Sequence, residues 1–218
     1  MVDAQAIAGH FARSLQGSQC DPSPYRHWLL DAALPEAVCA AIDALPYTPP
    51  PSADTLGRRE TNNSTREFFS AAERVRYPAC HQLAAAMQSQ RVTNAIETCC
   101  GIILRGTSLR IEYCLDTDGF WLAPHTDIGV KRFTMLIYLS DEPGSEDWGT
   151  DIYAADGLLA TVTPYRRNGA LIFIPGADTW HGFHRRPIDG VRRSLIVNYV
   201  GPEWRARHEL AFPDRVVG

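Results

Sequence analysis

Residues 121–141, WLAPHTDIGVKRFTMLIYLSD, set a histidine and an aspartate two positions apart, just ahead of a strongly apolar run. In an extended chain, side chains at i and i+2 point to the same face. His125 and Asp127, at what reads as a strand end, can therefore converge on one point. A ring nitrogen and a carboxylate oxygen together suit a borderline divalent ion. A further histidine would complete a two-histidine, one-carboxylate set that leaves the remaining coordination positions open. Taken alone, the pattern is better described as a polar pair on a sheet rim.

Support comes from residues 169–200, GALIFIPGADTWHGFHRRPIDGVRRSLIVNYV. His181 follows an apolar strand and a glycine-containing turn, near the start of another extended segment. Arg192 opens an alternating strand with Ser194, Ile196 and Asn198 on its own face. An arginine flanked by Leu195, Ile196 and Val197 is out of place on a surface. Pointing inward, it requires an anionic partner, because an unpaired buried charge is costly. A bound carboxylate would meet the guanidinium fork with two parallel bonds, and the Ser194 hydroxyl can add a donor. His184 is a rival to His181, and Arg193 to Arg192. The turn before His181 favours the first of each pair, as does the strand parity that puts Arg193 opposite Ser194.

The rest of the chain sets the frame. It has 218 residues, 45% hydrophobic and 21% charged, with a formal net charge of -4. That length is enough for one globular domain with its own core. The basic residues are scattered, so no nucleic-acid footprint is expected. The arginine pairs at 58–59, 166–167 and 185–186 read as solvated loop charges. No run reaches the ~18 apolar residues of a membrane helix. The first residues form an amphipathic helix rather than a secretory leader, which points to a cytoplasmic protein. Cysteines 20, 39, 80, 99, 100 and 114 include no Cys-x-x-Cys pair, so reduced and mostly buried thiols are expected.

Residues 1–104 read as mainly helical, with a short strand over 25–30, a helix from about Pro35, and helix breaks near Pro78 and Gln90. Residues 47–67 are too rich in Pro, Ser, Thr and Asn for a core element. With Arg58, Arg59, Asn62, Asn63 and Arg66, they read equally as a segment closing over a site and as a surface loop. From 105 to 200, short β-rich runs alternate with Gly, Pro, Asp and Asn, the texture of an antiparallel sandwich or barrel. The expected class is α+β with a mainly β core, the helices on one face, and residues 201–218 as a tail.

His125-Thr126-Asp127, then His181, then Arg192 with Ser194, resembles the 2-oxoglutarate/Fe(II)-dependent oxygenase superfamily, especially its prolyl-hydroxylase-like branch. The resemblance covers roughly residues 105–200. It implies a double-stranded β-helix (jelly-roll) core, with His125, Asp127 and His181 as the iron ligands. Arg192 would bind the distal carboxylate of 2-oxoglutarate, aided by Tyr113, which otherwise packs in the barrel wall; Tyr138 is a second tyrosine able to face the pocket. It implies a dioxygenase that couples decarboxylation of 2-oxoglutarate to succinate and CO2 with hydroxylation of an unactivated C–H bond, on a small-molecule or peptidyl substrate. The carboxylate at 127 argues for hydroxylation over halogenation. One departure is visible: Thr150 and Asp151 follow Gly149 where relatives carry a double glycine. A metal-binding jelly-roll or cupin-like protein without 2-oxoglutarate turnover is the competing class, and it has no use for an inward Arg192.

Overall fold

Asp3 starts the first helix, α1 (Ala4–Gln16), by accepting the Ala6 amide, and Ile7, Phe11 and Leu15 form its buried stripe. The computed structural model describes residues 2–49, 51, 54–59 and 65–218. After Pro35 comes α2 (Glu36–Asp43), burying Val38, Cys39 and Ile42. Ser70 caps α3 (Ala71–Arg76), Pro78 opens α4 (Pro78–Gln88), and Ser89 caps α5 (Gln90–Cys100). The helix breaks expected at Pro78 and Gln90 fall where α3 gives way to α4 and α4 to α5. Among the described residues no helix is long and apolar enough to cross a membrane.

The strands are β1 (Gln19–Asp21), β2 (His27–Leu30), β3 (Arg66–Phe68), β4 (Ser108–Asp116), β5 (Leu122–His125), β6 (Lys131–Tyr138), β7 (Asp151–Tyr153), β8 (Leu159–Val162), β9 (Ala170–Phe173), β10 (His181–Phe183) and β11 (Arg192–Val200). They form a seven-stranded sheet in the order β1-β2-β9-β6-β11-β4-β3 and a four-stranded sheet in the order β5-β10-β7-β8. Neighbouring strands pair antiparallel in both. The architecture is thus two antiparallel sheets flanked by helices, and among the described residues neither sheet closes on itself. The first hundred residues are less purely helical than expected, since β1, β2 and β3 extend the large sheet at both edges.

Alternation along the central strands assigns the faces. Leu109, Ile111, Tyr113 and Leu115 of β4 and Leu195, Val197 and Tyr199 of β11 join α1, α2, α4 and α5 in one apolar core. Side chains of this kind contribute about 1.5–3 kcal/mol each on full burial. A second core, with Phe120, Leu136, Tyr138, Trp148, Ile152, Tyr165, Phe173, Phe183 and Ile196, lies between the two sheets. The last residues are stitched to β4: Ala211 N–H donates to Leu109 O and Val217 N–H to Thr107 O.

Candidate functional site

Two imidazoles meet on the small sheet. β5 and β10 run antiparallel with His181 directly across from His125, and their ring centroids lie 4.4 Å apart. Gly182 allows this approach, because a Cβ there would come within 2.9 Å of the Leu122 carbonyl oxygen. Each ring is fixed from behind: His125 Nδ1 bonds Ala123 O at 2.8 Å and His181 Nδ1 bonds Thr179 O at 2.9 Å. A carbonyl only accepts, so Nδ1 carries the hydrogen in both rings, and in the neutral form of such a ring Nε2 keeps its lone pair. Burial pushes the His181 pKa down to about 4, despite the opposing charge of Asp127. A neutral imidazole with its Nδ1–H held by a backbone carbonyl is the form in which histidine ligates a metal.

Asp127 is placed differently from expectation. β5 ends at His125, so Asp127 lies beyond the strand and owes its position to β6 rather than to strand parity. Lys131 Nζ bonds its Oδ1 at 2.5 Å, and the Thr134 hydroxyl donates to its Oδ2 at 2.7 Å. Asn198 Nδ2 in turn donates to Thr134 Oγ1 at 2.9 Å. Burial alone would raise the Asp127 carboxyl, but Lys131 and His181 bring it below its ordinary value. Among the described residues no three His, Cys, Asp or Glu side chains are gathered as a metal site. The two histidines are assembled; the aspartate shares their cavity while bonded to Lys131 and Thr134. Neither of these partners was singled out from sequence, although Lys131 stands one helical-style spacing from Asp127.

The cavity holding His125, Asp127 and His181 measures about 350 Å³ and lies between the sheets. Arg192 lines it and is 2% exposed, so its inward direction agrees with the reading of the strand. Its anionic partner, however, is part of the chain. Arg192 faces Asp116 across β4 and β11, with Nη1 at 3.0 Å from Asp116 Oδ2 and Nε at 2.9 Å from the Trp148 carbonyl oxygen. Arg59 reaches the same carboxylate with two parallel bonds of 3.0 and 3.1 Å. Reading Arg59 as a solvated loop charge was therefore incorrect. The pairing could not be seen in the sequence because it depends on a contact between residues 59 and 116.

The remaining expected residues divide. Ser194 shares the Arg192 face, fully buried, and among the described residues its Oγ has no hydrogen-bond partner. Tyr113 does not reach the cavity: its place in β4 turns it to the helix side, where it packs against Tyr47 at 6.3 Å. Tyr138 lies inside, one layer behind the cavity, stacked on Tyr165 and bonded to the hydroxyls of Thr150 and Thr163. His184 is engaged elsewhere, with Nδ1 2.8 Å from the buried Asp151 carboxylate. Gly149, where the resemblance notes a departure from a double glycine, tolerates no side chain, since a Cβ would lie 1.8 Å from Thr163 O. Thr150 lines the cavity wall instead. Of the 47–67 segment, Asn62 and Asn63 lie outside the described residues. Residues 54–59 run beside β5: Ala123 N–H donates to Gly57 O, and Asp54 Oδ1 accepts from Trp121 Nε1 at 2.6 Å.

In sequence the chain matches no family profile and no curated protein. In structure it is similar to a 2OG-Fe(II) oxygenase family oxidoreductase from Burkholderia pseudomallei, with TM-score 0.59 and 16% identity over 92% of this chain and 93% of that one. A Pseudomonas putida prolyl-4-hydroxylase gives TM-score 0.55 and 17% identity, over 89% of this chain and 94% of that one. HygX from Streptomyces hygroscopicus, solved with nickel, 2-oxoglutarate and hygromycin B, gives TM-score 0.56 and 14% identity, over 82% and 85%. At such identities the likeness is one of fold.

Proposed function

We propose that this chain is an Fe(II)- and 2-oxoglutarate-dependent dioxygenase with a double-stranded β-helix core. In this reading residues 1–104 pack on a catalytic unit spanning 105–200, within a single domain. The observation that carries the reading is the cross-strand pair His125 and His181, both oriented by backbone carbonyls, in one cavity with Asp127 and Arg192. Two imidazole nitrogens and one carboxylate are the donor set of a non-haem ferrous site. Ser194 Oγ, buried and without a partner among the described residues, is the kind of atom a bound carboxylate would satisfy.

With ferrous iron held by His125, Asp127 and His181, dioxygen and 2-oxoglutarate supply an oxidant strong enough to hydroxylate an unactivated C–H bond, the keto acid leaving as succinate and CO2. The protein's own contributions follow from its side chains. Thr134 and Lys131 hold the Asp127 carboxylate at a fixed angle. Arg192 and Ser194 take the distal carboxylate of the keto acid. Phe120, Leu122, Phe183 and Ile196 line the cavity and restrict water. The free cysteines suit a reducing, cytoplasmic setting. The substrate, small molecule or peptide, does not follow from the fold, whose neighbours include both prolyl-4-hydroxylases and a protein solved with hygromycin B.

Anaerobic titration with Fe(II) and then 2-oxoglutarate tests the reading. The expected result is a weak visible metal-to-ligand charge-transfer band. Its absence favours a second reading, a metal-binding jelly-roll or cupin-like protein without 2-oxoglutarate turnover. That alternative draws on one observation, the Asp116 carboxylate already seated against the Arg192 guanidinium. Where the band forms, metabolite and peptide pools scored by accelerated succinate release identify the substrate.

A further inference from the structure

Asp116 brings a single carboxylate to two guanidinium groups. It is fully buried, and its Oδ2 accepts from both Arg59 Nη2, at 3.1 Å, and Arg192 Nη1, at 3.0 Å. Among the described residues, one anion between two cations leaves one positive charge without a counter-anion. The next carboxylate along the same face of β4, Glu112, does not supply it, because it is bonded to Arg110 and Arg66. The Phe120 ring lies 4.5 Å from the Arg59 guanidinium and the Phe183 ring 4.6 Å from that of Arg192. Aromatic faces moderate a cation but do not neutralise it. Both guanidiniums border the cavity that holds His125 and His181. Among the described residues Arg192 spends only Nε and one Nη1 hydrogen on protein acceptors, so its Nη2 group remains available as a donor.

We propose that Arg59 and Arg192 form a two-guanidinium clamp for the distal carboxylate of a dicarboxylic keto acid, with Asp116 as its internal counter-anion. This rests on the reading of the preceding subsection and adds to it a residue outside the His-x-Asp, His and Arg-x-Ser pattern. The clamp divides the work between distant parts of the chain. Arg192 is rigid on β11, while Arg59 arrives from the segment beside β5. Asp116 keeps the two forks close together before the ligand binds and competes with it afterwards, so its charge lowers affinity while its geometry preorganises the site. The alternative, that Arg59 merely fastens residues 54–59 to β4, accounts for its two bonds. It leaves the surplus charge beside Arg192 unexplained.

The two accounts separate on ligand chemistry. Isothermal titration of the Ni(II)-loaded protein compares 2-oxoglutarate with 2-oxopentanoate, which has the same chain length and lacks the distal carboxylate. In Arg59→Met the dissociation constant for 2-oxoglutarate rises about tenfold or more, the loss of a charge-assisted pair, while that for 2-oxopentanoate stays unchanged. Arg59→Lys, which keeps the charge and loses the fork, recovers part of the difference. Asp116→Asn tightens 2-oxoglutarate. An Arg59→Met protein that weakens both ligands alike, or neither, overturns the clamp and leaves the oxygenase reading standing. Should Arg59→Met fail to fold, the same comparison in Arg59→Lys decides: an undiminished preference for 2-oxoglutarate together with no gain in Asp116→Asn overturns the clamp. A wild-type protein that does not distinguish 2-oxoglutarate from 2-oxopentanoate overturns the clamp and the keto-acid reading together.

Discussion

The two faces of the seven-stranded sheet are made by the same strands and are buried alike, yet their chemistry is opposite. Toward the helices, β4 and β11 present Leu109, Ile111, Tyr113, Leu115, Leu195, Val197 and Tyr199. Toward the small sheet the same strands present Arg110, Glu112, Asp116, Arg192, Ser194 and Asn198, all at most 2% exposed. An apolar face stabilises the fold by being removed from water. A charged face so deeply buried must satisfy itself through pairing, and it gains little over an apolar one of the same shape. The charges are retained on the side where the cavity lies, which is why that side carries the functional reading. The helix side carries stability.

Substitutions that separate the two faces range from loss of activity to no effect. The largest is His181→Ala or His125→Ala, which under the proposed function removes a metal ligand: the charge-transfer band and succinate release both disappear, while the far-ultraviolet circular dichroism is preserved. Full activity in His181→Ala would sink the assignment, and His184 offers no rescue while Asp151 holds it. Next comes Glu112→Gln, which takes a shared buried carboxylate from Arg110 and Arg66, although Arg110 keeps its pair with Glu209. Breaking a buried pair in this way costs about 3–5 kcal/mol, read as a lower denaturant midpoint. Leu195→Ala on the opposite face costs about 2–5 kcal/mol through lost burial and a cavity. In the protein that remains folded, its affinity for 2-oxoglutarate is unchanged.

Acid sharpens the same contrast. Burial by itself would raise the Glu112 carboxyl, but Arg110 and Arg66 hold it at about 2, below the ordinary 4.5. A depressed carboxyl stabilises the folded state fully above its unfolded pKa, and that contribution fades as the pH falls from 4.5 toward 2. Urea midpoints should therefore decline across this window more steeply in the wild type than in Glu112→Gln. Equal slopes would show that the charged face does not govern acid stability. The smallest effect belongs to Tyr113→Phe: on the helix side, it leaves 2-oxoglutarate binding as in the wild type, and a weakened affinity would return Tyr113 to the cavity.

Much of this contrast was legible in the chain and some was not. Two-residue alternation in residues 192–198 placed Arg192 and Ser194 on one face, and the apolar neighbours Leu195 to Val197 made an inward Arg192 the reading to test. The position of His181 after an apolar strand and turn was legible for the same reason. Tyr113 failed because a tyrosine suits either face of a buried strand: the phenol is apolar enough for the helix side, and only register decides. Asp127 was found as a cavity residue on the wrong ground, since strand geometry ends at His125 and the carboxylate is positioned by Lys131 and Thr134. The pairing of Asp116 with Arg59 was missed for a different reason. Their partnership is purely tertiary, and an aspartate before a turn, or an arginine in a Pro- and Ser-rich loop, carries no local mark of burial.

The backbone of Ala123 joins two parts of the site. Its carbonyl oxygen receives the His125 ring hydrogen, and its amide donates to Gly57 in the stretch that also bears Arg59. A single residue of β5 thus steadies an imidazole on one side and the base of a guanidinium arm on the other. Slow deuterium uptake at the Ala123 amide would report that seam directly, and any ligand drawing Arg59 inward would be felt at the ring of His125 without touching it.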